Sequence, residues 1–159
     1  MANRAIWGAG LGVGFTWTTA GFTAANFNSL AVGSAVVAAT AIANATPLDV
    51  YADLSFSLTG TTGTGSQFFA VYLQPLNQDG TTYGDNSATG TVPPQISYQV
   101  GSVVVPQSLT STALVGMLRG IVLPPGSFKF ALANFTSNSL ASSAAAVVSY
   151  RTYVENLNG

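Results

Sequence analysis

The sequence predicts an all-β protein: a two-sheet jelly-roll-like β-sandwich of about eight strands, with an extended N-terminal arm. Three observations carry that prediction. From about residue 30, strand-length apolar segments recur between clusters of turn residues. Few tight hairpin signals join them, as expected where successive strands alternate between two sheets. No stretch combines a 3.6-residue period with helix caps and charged pairs. An immunoglobulin-like topology is the alternative. At 159 residues the chain fits one domain able to bury a core without disulfides or a metal.

Residues 1–28 read as the arm and 29–159 as the sandwich. The arm is rich in Gly, Thr, Asn and large aromatics (Trp7, Phe15, Trp17, Phe22, Phe27) and follows neither a helical nor a strand period. Such a segment either packs on a neighbouring molecule or crosses its own domain's sheet. Its start, Arg4 followed by the apolar run to Phe15, has the outline of a secretory signal. Four glycines, Trp7 and the polar Thr16–Thr19 argue against one, and the product is expected to be soluble and made in a cytosol. No segment reaches the length of an unbroken apolar membrane span.

Ala35–Ala45 mixes helix-favouring alanines with Val36, Val37, Thr40 and Ile42, and is assigned to strand because it lacks caps. Leu48–Leu58 alternates cleanly: Leu48, Val50, Ala52, Leu54, Phe56 and Leu58 on a core face, Asp49, Tyr51, Asp53, Ser55 and Ser57 on a wet one. Residues 59–66 hold too much glycine to pair and read as a loop. Gln67–Leu73 is apolar on both faces, which suits a strand in mid-sheet. Pro75 and Asn77–Gly80 end it, and residues 79–95 form the longest irregular loop, the kind of segment on which binding concentrates. Strands are then expected over Ile96–Val100 and Val103–Val105, stopping at Pro106, and over Ala113–Leu123. Pro124-Pro125-Gly126 forces a turn before Phe128–Asn134, where Phe128, Phe130 and Leu132 share a face. Val147–Val154 is the last strand.

Composition limits the chemistry. The chain has four Lys and Arg, five Asp and Glu, and neither histidine nor cysteine. General acid–base work, nucleophilic catalysis and transition-metal binding draw mainly on residues missing or scarce here, so an enzyme is not expected and no catalytic residue, cofactor or metal is assigned. Arg4, Arg119, Lys129 and Arg151 are scattered, without the basic stripe that nucleic acid requires. A surface of Ser, Thr, Asn, Gln and Gly with net charge −1 offers little repulsion between copies, which favours a homo-oligomer.

The remaining motifs read blandly. Asp49 and Asp53 stand four residues apart on one strand face, about 13 Å, too far for a glycosidase pair, and read as solvated edge charges. Asp79 and Asp85 flank one loop but match no calcium motif. Asn44-Ala-Thr46 and Asn134-Phe-Thr136 have the form of sequons, common by chance in so Asn- and Thr-rich a chain. Gly8, Gly10, Gly12 and Gly14 lack the preceding strand and following helix of a nucleotide loop. The tyrosines, with Trp7 and Trp17, offer stacking surfaces for sugars but equally core and interface material.

Three stretches carry a resemblance: Leu73–Asp85 (LQPLNQDGTTYGD), Leu118–Phe130 (LRGIVLPPGSFKF) and Ser149–Tyr153 (SYRTY). Across about residues 28–154 the chain resembles small tailed-bacteriophage virion proteins. The resemblance implies a non-enzymatic structural protein of the virion, assembled from copies made in the host cytoplasm. A capsid decoration, or cement, protein is the preferred role: a small trimer clamping neighbouring capsomers of the major capsid protein. A tail, fibre or head-fibre component and a carbohydrate-binding adhesion module are the alternatives. On this reading Trp7, Phe15, Trp17 and Phe22 are the arm's interface anchors. Arg119, Arg151 and Tyr83 are the domain's contact residues, although Arg119 reads as readily as an outward strand charge.

Overall fold

A computed structural model describes residues 4–7, 17–46, 48–58, 67–85, 92–105, 114–143 and 146–156. Among the described residues ten strands are present: β1 (Arg4–Trp7), β2 (Thr18–Thr19), β3 (Ala35–Val37), β4 (Ile42–Asn44), β5 (Tyr51–Leu58), β6 (Gln67–Pro75), β7 (Gln99–Val105), β8 (Leu114–Val122), β9 (Gly126–Asn134) and β10 (Ala146–Asn156). Among the described residues the only helical turns are short 3-10 turns at Ala24–Phe27 and Ile96–Tyr98.

The strands form two antiparallel sheets. One runs β1-β10-β5-β8 with β2 also on β10, and the other runs β3-β9-β6-β7 with β4 also on β9. β1 and β2 lie along successive stretches of β10, and β3 and β4 along successive stretches of β9, so each pair fills one edge position. Eight strand positions result, four per sheet, in the order of a jelly roll. The expected architecture is therefore present. Apart from β6 to β7 and the two broken edges, each strand connects to one in the opposite sheet, which explains the scarcity of hairpin signals.

The main core lies between the sheets. Leu54, Phe56 and Leu58 face Phe69, Val71 and Leu73, with Phe128, Phe130 and Leu132 beside them, and all nine are buried. Phe56 meets Phe69 edge-on at 5.8 Å and Phe128 meets Phe130 at 5.4 Å. From Phe69 to Gln74 β6 is buried on both faces, as its composition predicted: Ala70, Tyr72 and Gln74 on its outer side are covered too. Where β7 and β8 converge at one side of the sandwich, glycines allow the approach. A Cβ on Gly116 would stand 2.4 Å from Val103 Cγ1, and one on Gly101 2.7 Å from Leu118 Cδ1.

Four sequence expectations are corrected. The alternation of β5 begins at Tyr51, not Leu48: Leu48 and Val50 are exposed, and Asp49 is buried. Asn44 causes this by closing a turn, its amide donating to the Asp49 carbonyl at 2.8 Å and accepting the Asp49 N–H at 2.8 Å, with Leu48 at φ 49. The Ala35–Ala45 segment holds two three-residue strands, because after Ala38, which still bonds the Phe130 carbonyl, the chain leaves the edge and the Ala39 N–H turns to the Gly21 carbonyl. Ile96–Tyr98 is a 3-10 turn with Ile96 83% exposed, and β7 continues unbroken from Gln99 through Gly101.

The described parts of residues 1–28 belong to this same sandwich. The backbone of β1 pairs with residues 153–156 and β2 with 149–150. Phe22 and Phe27 sit in the core with ring centroids 5.6 Å apart. The sequence expectations for the loop at residues 59–66 and for the Pro106 stop lie outside the described residues, as does the stretch 86–91 of the long loop.

Candidate interaction site

Among the described residues the polar side chains collect into three groups, of which the first and third join segments far apart in sequence and the second organises one loop. The first centres on Asp53, whose side chain points from the outer face of β5 yet is 0% exposed. Arg151, directly opposite on β10, donates to Asp53 Oδ2 from Nε at 3.1 Å and from Nη2 at 2.8 Å. The Gly120 N–H donates to Oδ1 at 3.1 Å from an irregularity in the β5–β8 ladder, which slips between Ala52 and Leu54. Gly120 has φ 68, a conformation that disfavours any side chain. The Trp17 ring covers the guanidinium at 4.7 Å. Tyr153 adds a hydroxyl contact to Asp53, and its phenol is pushed above the ordinary range by burial first and the Asp53 charge second. Tyr51 stacks on Tyr153 at 5.4 Å.

The second network organises residues 74–85. Asp79 accepts the N–H groups of Thr81 and Thr82, each at 2.9 Å, and the Thr82 hydroxyl at 2.5 Å. The Thr82 hydroxyl, followed by the two backbone donors, lowers its pKa from 3.8 to about 2. Asn77 donates to Thr82 Oγ1 at 2.9 Å and to the Gly84 carbonyl at 2.8 Å. Gln74, buried beneath the loop, donates to Asp85 at 3.2 Å, and the Gln95 N–H donates to the same carboxylate at 2.8 Å. Lys129 lies 4.9 Å from the centre of the Tyr83 ring.

The third network comprises two buried asparagines that tie off turns. Asn44 bonds Asp49 as described and also donates to the Pro124 carbonyl at 3.0 Å, while Thr152 donates its hydroxyl to Asp49. Asn134 donates to the carbonyls of Leu30 at 2.9 Å and Asn138 at 3.1 Å, and accepts the Thr136 hydroxyl at 2.6 Å. Both sequon asparagines are thus interior residues.

These networks relocate the residues singled out from sequence. Asp49 and Asp53 are buried, not solvated, because each has partners a hundred residues away or nearly so. Asp79 and Asp85 accept hydrogen bonds from their own loop and its base. Among the described residues no group of three or more His, Cys, Asp or Glu side chains comes together. Phe22 is corrected from interface anchor to core residue, since it is 7% exposed and packed on Phe27. Arg151 is committed within the chain to Asp53 and Trp17, so its donors serve the fold. Trp17 is partly buried over Arg151. Tyr83 is half-buried beside Lys129 and bridges to Leu76. Arg119 is exposed on β8, its Nε 3.0 Å from Met117 Sδ. For Trp7 the backbone is placed opposite Tyr153, and Phe15 lies outside the described residues.

What sequence reasoning passed over is apolar side chains on the outer face of the β1-β10-β5-β8 sheet. Val115 is 71% exposed, Val147 63%, Val122 66% and Met117 42%. The signal was available: both β8 and β10 are apolar at positions of both parities, more than one buried face consumes. On the other sheet, Phe68 and Val104 are exposed opposite one another, with Phe135 stacked on Phe68 at 5.2 Å. No helix among the described residues is long and apolar enough to cross a membrane.

Comparison with protein-family models and with curated proteins finds no match to this chain.

Proposed function

We propose that this chain is a non-enzymatic structural protein of a tailed-bacteriophage virion, acting as a capsid decoration protein that bridges neighbouring capsomers. One observation carries the reading. The described aspartates and Arg151 are engaged in holding turns and strands together, while the outer sheet faces present exposed valines, Met117, Phe68 and hydroxyls with few charges. That surface suits broad contact with other proteins, where area and complementarity do the work and no side chain needs to react. The jelly roll is a fold that recurs in viral capsids, which agrees with the resemblance carried by residues 73–85, 118–130 and 149–153.

The function is then an area effect. Each copy buries modest surface against its neighbours, and many such contacts on one particle add through multivalency. Copies associate with one another and with the major capsid protein, and the mature site is the virion.

Quantitative mass spectrometry of purified virions against the major capsid protein tests this. A ratio of one copy per capsid subunit, or a simple fraction of it, is expected. A handful of copies per particle would move the protein to the tail or a fibre, and none would overturn the virion reading.

A further inference from the structure

We propose that strand β1 is exchanged between copies of this chain: the edge of β10 at residues 153–156 takes Arg4–Trp7 of a second copy in place of its own. The exchange deepens the self-association named above and says which segment makes it.

The fold itself defines the occupant of this edge. β1 runs antiparallel to β10 with Arg4 opposite Asn156 and Trp7 opposite Tyr153, and among the described residues it pairs with no other strand. β2 lies further along the same edge, with Thr18 opposite Tyr150 and Thr19 opposite Ser149. In an unbroken strand Gly10 would face Tyr150. Thr18 stands there instead, so the chain joining the two strands is eight residues longer than the edge requires. The three strand positions between Tyr153 and Tyr150 span about 10 Å. Eleven residue steps, from Trp7 to Thr18, reach up to about 36–40 Å. That surplus is enough to carry β1 off the sandwich to which Thr18 belongs and onto the matching edge of a neighbour.

The chain is fastened just beyond the surplus. Ala20 is buried and donates its N–H to the Val148 carbonyl at 2.9 Å, Phe22 sits in the core, and Trp17 covers Arg151. Exchange therefore moves β1 and leaves the sandwich and its Asp53 network as they are. An identical strand makes the same backbone ladder, so reciprocal exchange leaves no hydrogen-bonding group of that ladder unpaired. Concentration then decides between the two arrangements. A tether of this length presents its own strand to the edge at an effective concentration of about millimolar. Copies held at comparable density, as on the surface of a particle, compete on equal terms, whereas in dilute solution each edge keeps its own strand.

Because the chain contains no cysteine, a disulfide crosslink tests the exchange without background. Ala5 and Glu155 face one another in the ladder, at a separation that a disulfide bridges in either kind of antiparallel pair. Full-length Ala5→Cys and full-length Glu155→Cys are incubated together and oxidised. At about millimolar protein, heterodimers are expected about tenfold or more over dimers of either variant alone, and they fall away at micromolar concentration. Ala5→Cys/Glu155→Cys in one chain closes on itself as a crosslinked monomer in the dilute sample. Should a cysteine at this pair loosen β1, Ile6→Cys with Val154→Cys repeats the experiment one position along. Heterodimers no commoner than same-variant dimers at every concentration, with both pairs, would overturn the proposal. Absence from virions would remove the phage reading and leave the exchange standing, and a missing heterodimer would do the reverse.

Discussion

Replacing Arg151 by methionine isolates the energetic role of the Asp53 network. The substitution keeps much of the apolar stem and removes the guanidinium that lies over Trp17, with both hydrogen bonds to Asp53 Oδ2, at 3.1 and 2.8 Å. The carboxylate left behind is 0% exposed and keeps the Gly120 N–H and the Tyr153 hydroxyl. Breaking a buried ion pair from one side costs about 3–5 kcal/mol. The Arg151 side chain is 16% exposed, so water reaches part of the site and the lower end, about 3 kcal/mol, applies. For a domain of this size that lowers the thermal midpoint by roughly 6–12 °C. Asp53→Asn should cost less, about 1–2 kcal/mol, because the orphaned guanidinium retains some access to water. The double variant Asp53→Asn/Arg151→Met should then be more stable than Arg151→Met alone, since no buried charge remains. Chemical denaturation of the four proteins gives the coupling directly. A loss below 1 kcal/mol in Arg151→Met, or strictly additive effects, would refute the view that Arg151 holds this carboxylate in the fold.

Two further predictions address the seam and the loop. Gly116→Ala places a methyl 2.4 Å from Val103 Cγ1 and 3.0 Å from Phe56 Cε1, both on buried side chains. Overpacking of about 1–3 kcal/mol, partly offset by about 0.5–1 kcal/mol from removing a strand glycine, leaves a net destabilisation that Val103→Ala should partly rescue in a denaturation cycle. Asp79 should titrate at about 2 by carbon-detected NMR. Because its folded pKa is depressed, its support of the turn is present above the ordinary value of 3.8 and is lost as pH falls towards 2. The Thr81 and Thr82 amide shifts should follow the same midpoint, and Thr82→Ala should move it upward.

Local signals were sufficient wherever one segment's own pattern decided its fate. The Phe128, Phe130, Leu132 alternation and the two-sided apolarity of Gln67–Leu73 marked β9 and β6 without reference to any partner. Pro124-Pro125-Gly126 marked the turn, where Gly126 indeed takes φ 97. Local reasoning failed where a side chain from afar altered the rule. Leu48 and Val50 continue the alternation of β5 on paper, but Asn44 seizes the backbone of Asp49 and turns the chain. Asp53 looks solvated because an acid at an outward strand position ordinarily is, and only the register that sets Arg151 opposite it, 98 residues later, buries it. The arm was unreadable for a related reason. Phe22 and Phe27 enter the core through a 3-10 turn, which has no period long enough to detect.

The stretches that carry the phage resemblance are, in this chain, the places where the jelly roll is tied together. Leu118–Phe130 contains Gly120, which caps Asp53, and Pro124, whose carbonyl receives Asn44. Ser149–Tyr153 supplies Arg151, Thr152 and Tyr153 to Asp53 and Asp49. Leu73–Asp85 is the loop organised by Gln74, Asn77 and Asp79, with Tyr83 against Lys129 of β9. A pattern made of such residues specifies an architecture, and it constrains the outward side chains hardly at all. Val115, Met117 and Val147 lie outside all three stretches, and Val122 lies within one but is exposed on the outer face of the sheet. On the proposed reading, contact with other proteins falls to these outward positions, which the motif leaves free. Exchanging those four outward residues should change what the sandwich binds while leaving its thermal midpoint within a few degrees, because exposed substitutions away from caps and cores ordinarily move stability by about 0.5 kcal/mol or less.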